Sequence, residues 1–518
     1  MTYLAVPISA GDVAGAMDQV AAALAGGAEM LELRTDYLED LTPEMAVELL
    51  AAVRTAGPGV PVIVTCRDGR EGGAHDYPED LRIRVLVAAM DAGAEYIDLE
   101  YANFTRPEIR RRVEVPLAWG SVCRLIISAH DFEGRFKDVR QLYGDIVEAC
   151  PDGVPKIVYT AGHINDCFEA IDLLDERKGD CIALCMGPAG LISRVLPRKM
   201  GGLVTFASAD ETSGTAPGQV TLAQMKELYR HDGIDGDTEL FGVIADPVGH
   251  SLSPAIHNAC FADKGMNKLY LPLLVQGGRD ELFAFLDGVL ARPWLRFRGF
   301  SITIPHKHSV LEYVCEKGGS VEPLAEQIGA ANTLIIGEGG RLGAYNTDYA
   351  GALDAITAGM EIERKDFAKM PVAVVGAGGV SRAIVAGLTD AKAKVTIYNR
   401  TVSRAETLAG DFGCAFAGLE ELPKLDAKLV VNCTSIGMHP NVDHSPVPEG
   451  VLKADMAVFD TVYNPAETLL LKQAKAAGAK TIDGIAMFVN QAMAQFQLFT
   501  AQPGNPTLMR DVVLDSLQ

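Results

Sequence analysis

Two lysines, one histidine and a pair of serines carry the residue types that could do chemistry where strands end in this chain. Lys156 lies inside the apolar run PKIVYT (155–160), where a primary amine is costly unless it acts. Burial and neighbouring cations would lower its pKa from about 10.4 and free the amine to attack a ketone and form a Schiff base. A lysine at the strand's start pointing to the opposite face is the competing placement. His130, in SAHDF (128–132) on the neighbouring strand, could move the proton that a Schiff base acidifies, or simply fill a core. Glu32 and Arg34, Arg67 and Glu71, and Arg194 follow other strand-like runs. Three guanidiniums around one mouth suit a polyhydroxylated carboxylate, because the arginine fork matches a carboxylate bidentately.

In the second half, FGVIADPVGHSLSPAIHN (241–258) turns from a strand into a helix through Ser251 and Ser253. The two hydroxyls either cap the helix or hold a carboxylate at its positive end. Lys307 follows SITIP at a strand's carboxyl edge, where open α/β sheets place their ligands. Asn332 and Asp348 close two turns, GAANTL and AYNTD, and could bracket vicinal hydroxyls or serve only as turn residues. Lys307 and Asp348 together make a proton-transfer pair for a carbonyl being reduced. The run MPVAVVGAGGVSRAIVAGL (370–388) gives a buried strand, a glycine turn and a helix. Gly376, Gly378 and Gly379 let backbone approach a pyrophosphate, with Ser381 in place of the third fingerprint glycine. The next strand ends in Asn399, Arg400 and Thr401 with Arg404 beyond, where an acid would select NAD; arginine favours the 2′-phosphate of NADP. VVNCTSIGM (430–438) brings Thr434, Ser435 and Met438 to the nicotinamide side. Phe488, Ala492, Phe496 and Phe499 share one helical stripe read as core, and Gln491, off that stripe, is expected to face the cleft.

Eight strand-like runs before residue 232, each followed by an amphipathic stretch, position the first group: 3–8, 30–36, 60–67, 95–100, 124–132, 155–160, 181–187 and 202–209. That alternation predicts a closed (β/α)8 TIM barrel with its chemistry at the carboxyl ends, an open doubly wound sheet being the alternative. The fold class is therefore α/β throughout: the barrel, then a two-lobed α/β half with a Rossmann NADP-binding domain. Expected boundaries are 1–232 for the barrel, 240–350 for a substrate lobe, 351–484 for the Rossmann lobe and 485–518 for helices returning to the substrate lobe. The stretch 231–239, HDGIDGDTE, reads as a short polar linker after a last barrel helix at 221–230.

With 46 Lys plus Arg against 68 Asp plus Glu, the formal charge of −22 argues against nucleic acid or an anionic membrane as partner. The ten cysteines form no C-x-x-C and no metal-ligand spacing, so they are expected to be reduced core thiols, with no metal. The start, MTYLAVPISAGD, enters a strand directly, no apolar run reaches membrane-spanning length, and a cytoplasmic protein without a leader is expected.

ELRTD (32–36), TCRDGREGG (65–73), SAHDF, PKIV, SRV (193–195) and TAPGQ (215–219) together resemble type I 3-dehydroquinate dehydratase over nearly all of residues 1–230. The resemblance implies Lys156 as the imine-forming lysine, His130 as general acid/base, Glu71 assisting the histidine, and Glu32, Arg34, Arg67, Arg194, Thr215 and Gln219 as substrate contacts; Thr215 stands where that family often has serine. DPVGHSLSP, SITIPHK, ANT, YNTD, GAGGVSRA, NRT, NCTSIGM and YNPAET resemble shikimate dehydrogenase across 240–500. That likeness implies Lys307 and Asp348 as the catalytic pair, and Ser251, Ser253, Thr303, Asn332 and Gln491 on the substrate. It gives NADP to the glycines, Asn399, Arg400, Thr401 and Arg404. The domain order resembles the bifunctional 3-dehydroquinate dehydratase/shikimate dehydrogenases, implying 3-dehydroquinate, 3-dehydroshikimate and shikimate as small-molecule partners. A quinate/shikimate dehydrogenase of mixed cofactor preference and a non-catalytic quinate-pathway sensor are the alternatives.

Overall fold

Runs such as YLAVPI and VIVT, apolar on both faces and rich in β-branched residues, belong in parallel strands covered on each side. The computed structural model describes residues 2–118, 121–249 and 251–517; His250, within DPVGHSLSP, lies outside the described residues. Two compact units form: Met1–Glu239 with Leu273–Gln276 and Ala284–Arg292, and Leu240–Pro272 with Gly277–Phe283 and Pro293–Gln518.

In the first unit the strands are β1 (Tyr3–Ile8), β2 (Met30–Arg34), β3 (Val62–Thr65), β4 (Tyr96–Glu100), β5 (Arg124–Asp131), β6 (Val154–Thr160), β7 (Ile182–Met186) and β8 (Val204–Phe206). Their hydrogen-bonded order is β7-β6-β5-β4-β3-β2-β1-β8, and Leu203 N donates to Cys181 O at 2.9 Å across the remaining seam. This is the barrel rather than the open sheet. Alternate residues point inward. At the lower level Ala5, Met30, Ile63, Ile126, Val154, Ile182 and Val204 form one apolar cluster. One inward step nearer the carboxyl ends, Glu32, Thr65, Asp98, Ser128 and Lys156 are all buried, while Leu184 and Phe206 keep the opposite wall apolar. The barrel therefore holds a polar half-wall above an apolar floor.

The helix expected at 221–230 is helical over 222–228, with a π-helical stretch at Gln224–Leu228. The polar stretch after it is largely exposed but pinned at points: His231 and Thr238 are buried, and Lys199 Nζ donates to Gly236 O and Thr238 O, both at 2.8 Å.

The second unit holds two sheets. Strands β9 (Glu239–Ala245), β10 (Lys268–Leu274), β11 (Phe297–Ile302), β12 (Ser320–Val321), β13 (Thr333–Ile336) and β14 (Leu342–Tyr345) run β10-β9-β11-β13-β14-β12. Strands β15 (Pro371–Val375), β16 (Lys394–Tyr398), β17 (Ala415–Ala417), β18 (Leu429–Asn432), β19 (Ala457–Asp460) and β20 (Lys480–Ile482) run β17-β16-β15-β18-β19-β20. All pairs in this second sheet are parallel, the doubly wound order whose switch point lies between β15 and β18. Helices Thr347–Met360 and Gly484–Thr500 pack against each other. Their approach is set by Gly351, where an added Cβ would lie 2.7 Å from Gln491 N and 3.0 Å from Met487 O. That contact brings Asp348 and Gln491 to one cleft. Among the described residues, no helix is long and apolar enough to cross a membrane.

Gly351→Ala should therefore destabilise the second unit by about 1–3 kcal/mol despite alanine's better helix propensity, because backbone must move to admit the methyl group. Urea unfolding is expected to show a lowered midpoint for that unit with the barrel's transition unchanged.

Candidate active sites

At the barrel's mouth, residues of β2, β5, β6, β7 and β8, with those following β3 and β7, line one cavity. It is lined by Glu32, Arg34, Arg67, Glu71, His130, Lys156, Arg194, Thr215 and Gln219, with Phe132, Met186 and Phe206 among the apolar walls. All nine polar positions expected from the sequence thus meet. Lys156 points inward with 5 % of its side chain exposed, settling the choice of face. Its setting corrects one expectation: the groups nearest Nζ are carboxylates, not cations, with Asp98 Oδ2 at 2.7 Å and Glu32 Oε1 at 3.5 Å. The Phe206 ring lies beneath, 4.8 Å from Nζ to its centroid. Asp98 is also 2.9 Å from Arg67 Nη1. Burial alone would raise its carboxyl, but Arg67 and Lys156 outweigh that and hold it far below the usual range.

Glu71 Oε2 accepts both the backbone N–H of His130 and a bond from its Nδ1, each at 3.0 Å. With the carboxyl ionised, Nδ1 must donate, which leaves the lone pair on Nε2. Burial pushes the Glu71 carboxyl up to about 7, Arg67 opposing. Burial, with Arg67 and Lys156, pushes the imidazole well below its ordinary value, so His130 is neutral. Arg194 is 2 % exposed; its Nη2 reaches only Pro217 O at 3.3 Å, and its Nε has no partner. Burial lowers this guanidinium to about 10. A buried cation without a carboxylate waits for an anion. It is held there by Ser193, whose Oγ accepts from Cys185 N and donates to Gly190 O, both at 2.7 Å.

The second unit gathers its groups where the two sheets' strands end. Lys307 Nζ and Asp348 Oδ2 are 2.6 Å apart with 22 % and 12 % of their side chains exposed. Asn332 Nδ2 donates to Asp348 Oδ1 at 2.9 Å, and Asn332 is fixed in turn by Thr347 N and Thr333 Oγ1, each donating to its Oδ1 at 2.8 Å. A cavity of about 360 Å³ has Ser251, Ser253, Thr303, Lys307, Asn332, Asp348 and Gln491 in its walls. Phe488 is there too, stacked on Tyr463 with centroids 4.9 Å apart, which corrects its placement in the core stripe; Ala492, Phe496 and Phe499 are buried as expected.

Beside it opens a crevice of about 1280 Å³ that includes Gly378, Gly379, Thr434, Ser435 and Met438, continuing into a space of about 550 Å³ with Ser403 and Arg404. Gly376 has φ +114°, and a Cβ there would lie 3.0 Å from Thr434 Cγ2; at Gly378 and Gly379 it would project into open space. No acid follows β16, where Arg400 and Arg404 are exposed. The cradle and these cations fit a dinucleotide with a further phosphate. Asn399, Arg400 and Thr401 sit at the strand's end but do not line the space, and Asn399 Nδ2 instead donates to Thr401 O at 2.8 Å. Among the described residues no group of three or more His, Cys, Asp or Glu could hold a metal ion.

Residues missed from the sequence include Asp98, Ser128, Phe206, Tyr463 and Gln495. The acids of EYIDLE, at alternate positions in an otherwise buried strand, were the available signal for Asp98. Gln495 gave none: only packing shows its Oε1 accepting from Ser301 Oγ at 2.7 Å and its Nε2 donating to Asn332 O at 3.2 Å.

Residues 4–236 match the family model of type I 3-dehydroquinase, 243–334 that of the shikimate dehydrogenase substrate binding domain, 359–461 shikimate/quinate 5-dehydrogenase, and 484–514 the shikimate 5′-dehydrogenase C-terminal domain. The chloroplastic bifunctional 3-dehydroquinate dehydratase/shikimate dehydrogenase of Arabidopsis thaliana is 36% identical over 492 residues, spanning 92% of this chain and 78% of the relative. Shikimate dehydrogenase (NADP(+)) of Methanosarcina barkeri is 40% identical over 291 residues, 54% of this chain and 99% of that one. A shikimate dehydrogenase crystallised with NADP+ superposes with TM-score 0.50 and 36% identity, over 55% of this chain and 98% of its own.

Because its carboxyl is raised to about 7 from 4.5, Glu71 binds its proton more tightly folded than unfolded, and ionising it costs stability as pH rises through that window. Infrared difference titration against Glu71→Gln should show one carboxyl half-protonated near 7, shifting higher still in Arg67→Met, and Glu71→Gln should flatten the loss of stability between about 4.5 and 7.

Proposed function

As a member of the bifunctional 3-dehydroquinate dehydratase/shikimate dehydrogenase family, the chain dehydrates 3-dehydroquinate and reduces 3-dehydroshikimate to shikimate with NADPH, and we propose which residues carry each step. The observation that bears the first assignment is one cavity holding a buried primary amine, a neutral histidine and a buried guanidinium with no carboxylate.

Arg194 takes the substrate carboxylate bidentately, and Glu32, Arg34, Arg67, Thr215 and Gln219 hold its remaining oxygens. Lys156 must shed a proton before it attacks the C3 ketone. Asp98, held far below its usual range, is a poor acceptor, so the neutral His130 is the base of the pocket. The amine adds to the ketone, His130 returns the proton to the carbinolamine hydroxyl so that it leaves as water, and the resulting protonated imine acidifies the C2 protons. His130 Nε2 removes one and returns it to the departing C1 hydroxyl, with Glu71 keeping the tautomer. Hydrolysis of the imine then releases the product and restores Lys156, so the sum is loss of one water.

In the second unit, Ser251 and Ser253 take the carboxylate of 3-dehydroshikimate near the start of helix Ser253–Asp263, and Thr303, Asn332 and Gln491 hold its hydroxyls. Gly378 and Gly379 would hold NADPH along the crevice, with Arg404, and Arg400 from the exposed end of β16, toward its 2′-phosphate; when bound, it would supply hydride for the ketone carbon. Lys307, its Nζ 2.6 Å from Asp348 Oδ2, passes a proton to the new alkoxide, and Asp348 holds the amine in place. The partners are small anions; the net charge of −22 disfavours nucleic acid and anionic membranes. Ten unbridged cysteines accord with a reducing, cytoplasmic setting.

Borohydride added with 3-dehydroquinate should fix one adduct on the peptide carrying Lys156. Lys156→Met should lose both the adduct and at least about 10³-fold in dehydration while reduction proceeds. Asp348→Asn should do the reverse, losing about 10²–10³-fold in reduction alone. Dehydration surviving in Lys156→Met would sink the first assignment.

A further inference from the structure

The crevice of the second unit has two chambers. The larger reaches Lys307, Asp348, Thr434 and Met438, and the smaller reaches Ser403, Arg404 and Thr407. Four residues line both: His308, Gly378, Gly379 and Arg382. They form the neck between the end where hydride chemistry takes place and the end that offers cations to a 2′-phosphate. A dinucleotide stretched through both chambers carries its diphosphate at that neck.

Three of the four are accounted for. Gly378 and Gly379 give open space before helix Gly379–Asp390, at its positive end. The charge of Arg382 is already spent: Nη1 lies 2.5 Å from Asp411 Oδ2, and Nε donates to Ile328 O. His308 comes from the other lobe, in the first turn of helix Lys307–Glu316. Lys307 turns to Asp348, while His308, next along the helix, is exposed in the neck. Its Nδ1 is 2.6 Å from Gly329 O. A carbonyl only accepts, so Nδ1 carries the hydrogen and the ring is fixed, leaving Nε2 without a partner among the described residues.

We infer that His308 is a cofactor-binding residue of the substrate lobe, its Nε2–H donating to a diphosphate oxygen of NADP across the neck from Gly378 and Gly379. This rests on the NADP reading of the crevice. It gives a physical link between cofactor and lobe geometry, because one diphosphate would touch backbone of the Rossmann lobe and a side chain adjoining Lys307. A phosphate oxygen only accepts, so in this contact Nε2 donates while Nδ1 keeps its bond to Gly329 O, a charge-assisted hydrogen bond.

Calorimetric titration of the full chain with NADP+, and competition by adenosine 2′-phosphate, test it. His308→Ala should weaken NADP+ by about five- to tenfold, leaving adenosine 2′-phosphate and shikimate within about twofold. Arg404→Ala should weaken both nucleotides together. His308→Lys, which restores a donor without the bond to Gly329 O, should recover NADP+ affinity to within about twofold. NADP+ affinity unchanged in His308→Ala while Arg404→Ala loses it would overturn the His308 inference alone. Equal loss of adenosine 2′-phosphate in His308→Ala, or no recovery in His308→Lys, would also overturn it. Wild-type chain binding no NADP+ would instead overturn the crevice reading on which it rests.

Discussion

The pair formed by Lys156 and Asp98, 2.7 Å apart inside the barrel, constrains more of the first unit than any other contact. Two charges withdrawn from water are tolerated only when their remaining valences are met. Asp98 is therefore tied to Ser128 and Arg67, Arg67 to Glu100, and Glu100 to Arg82 on the covering helix Glu79–Asp91. The chain of alternating charge runs from Lys156 to the barrel's outer layer. Asp98, Ser128 and Lys156 occupy inward positions on the successive strands β4, β5 and β6, so the barrel's register decides whether the amine has a counter-charge at all.

The same economy explains Arg194. Every other buried cation of that wall has a carboxylate, whereas Arg194 has a carbonyl and an orphaned Nε. Among the described residues lining this cavity, Arg194 is the cation without a carboxylate, and the neutral His130 lines the same cavity. An anionic ligand completes the electrostatics of the wall, which ties binding to the same network that holds the amine.

The second unit solves a different problem with similar residues. Lys307 and Asp348 are less buried than Lys156 and Asp98, sit on different elements of the substrate lobe, and adjoin a crevice large enough for a dinucleotide. Lys156, to which we assign the covalent step, is sunk in the barrel, where its direction is fixed by strand pairing. Lys307, to which we assign only a proton transfer, stands at a helix start beside a cleft.

The eight strand runs, the glycine turn, the terminal arginines and the two lysine motifs were readable from the chain, because alternation, turn chemistry and local spacing are local properties. So was the gathering of Glu32, Arg67, His130 and Lys156, since a closed barrel sends the carboxyl ends of all its strands to one mouth. What the chain could not convey were relations across the fold. Carboxylates rather than cations beside Lys156, Phe488 in the cleft, the pinned stretch 231–239 and His308 in the neck all depend on which distant atoms fill the neighbouring space. Sequence fixed which side chains face one way along each strand or helix; only tertiary packing decided what they meet there, because solvation and charge pairing are set by neighbours far away in the chain.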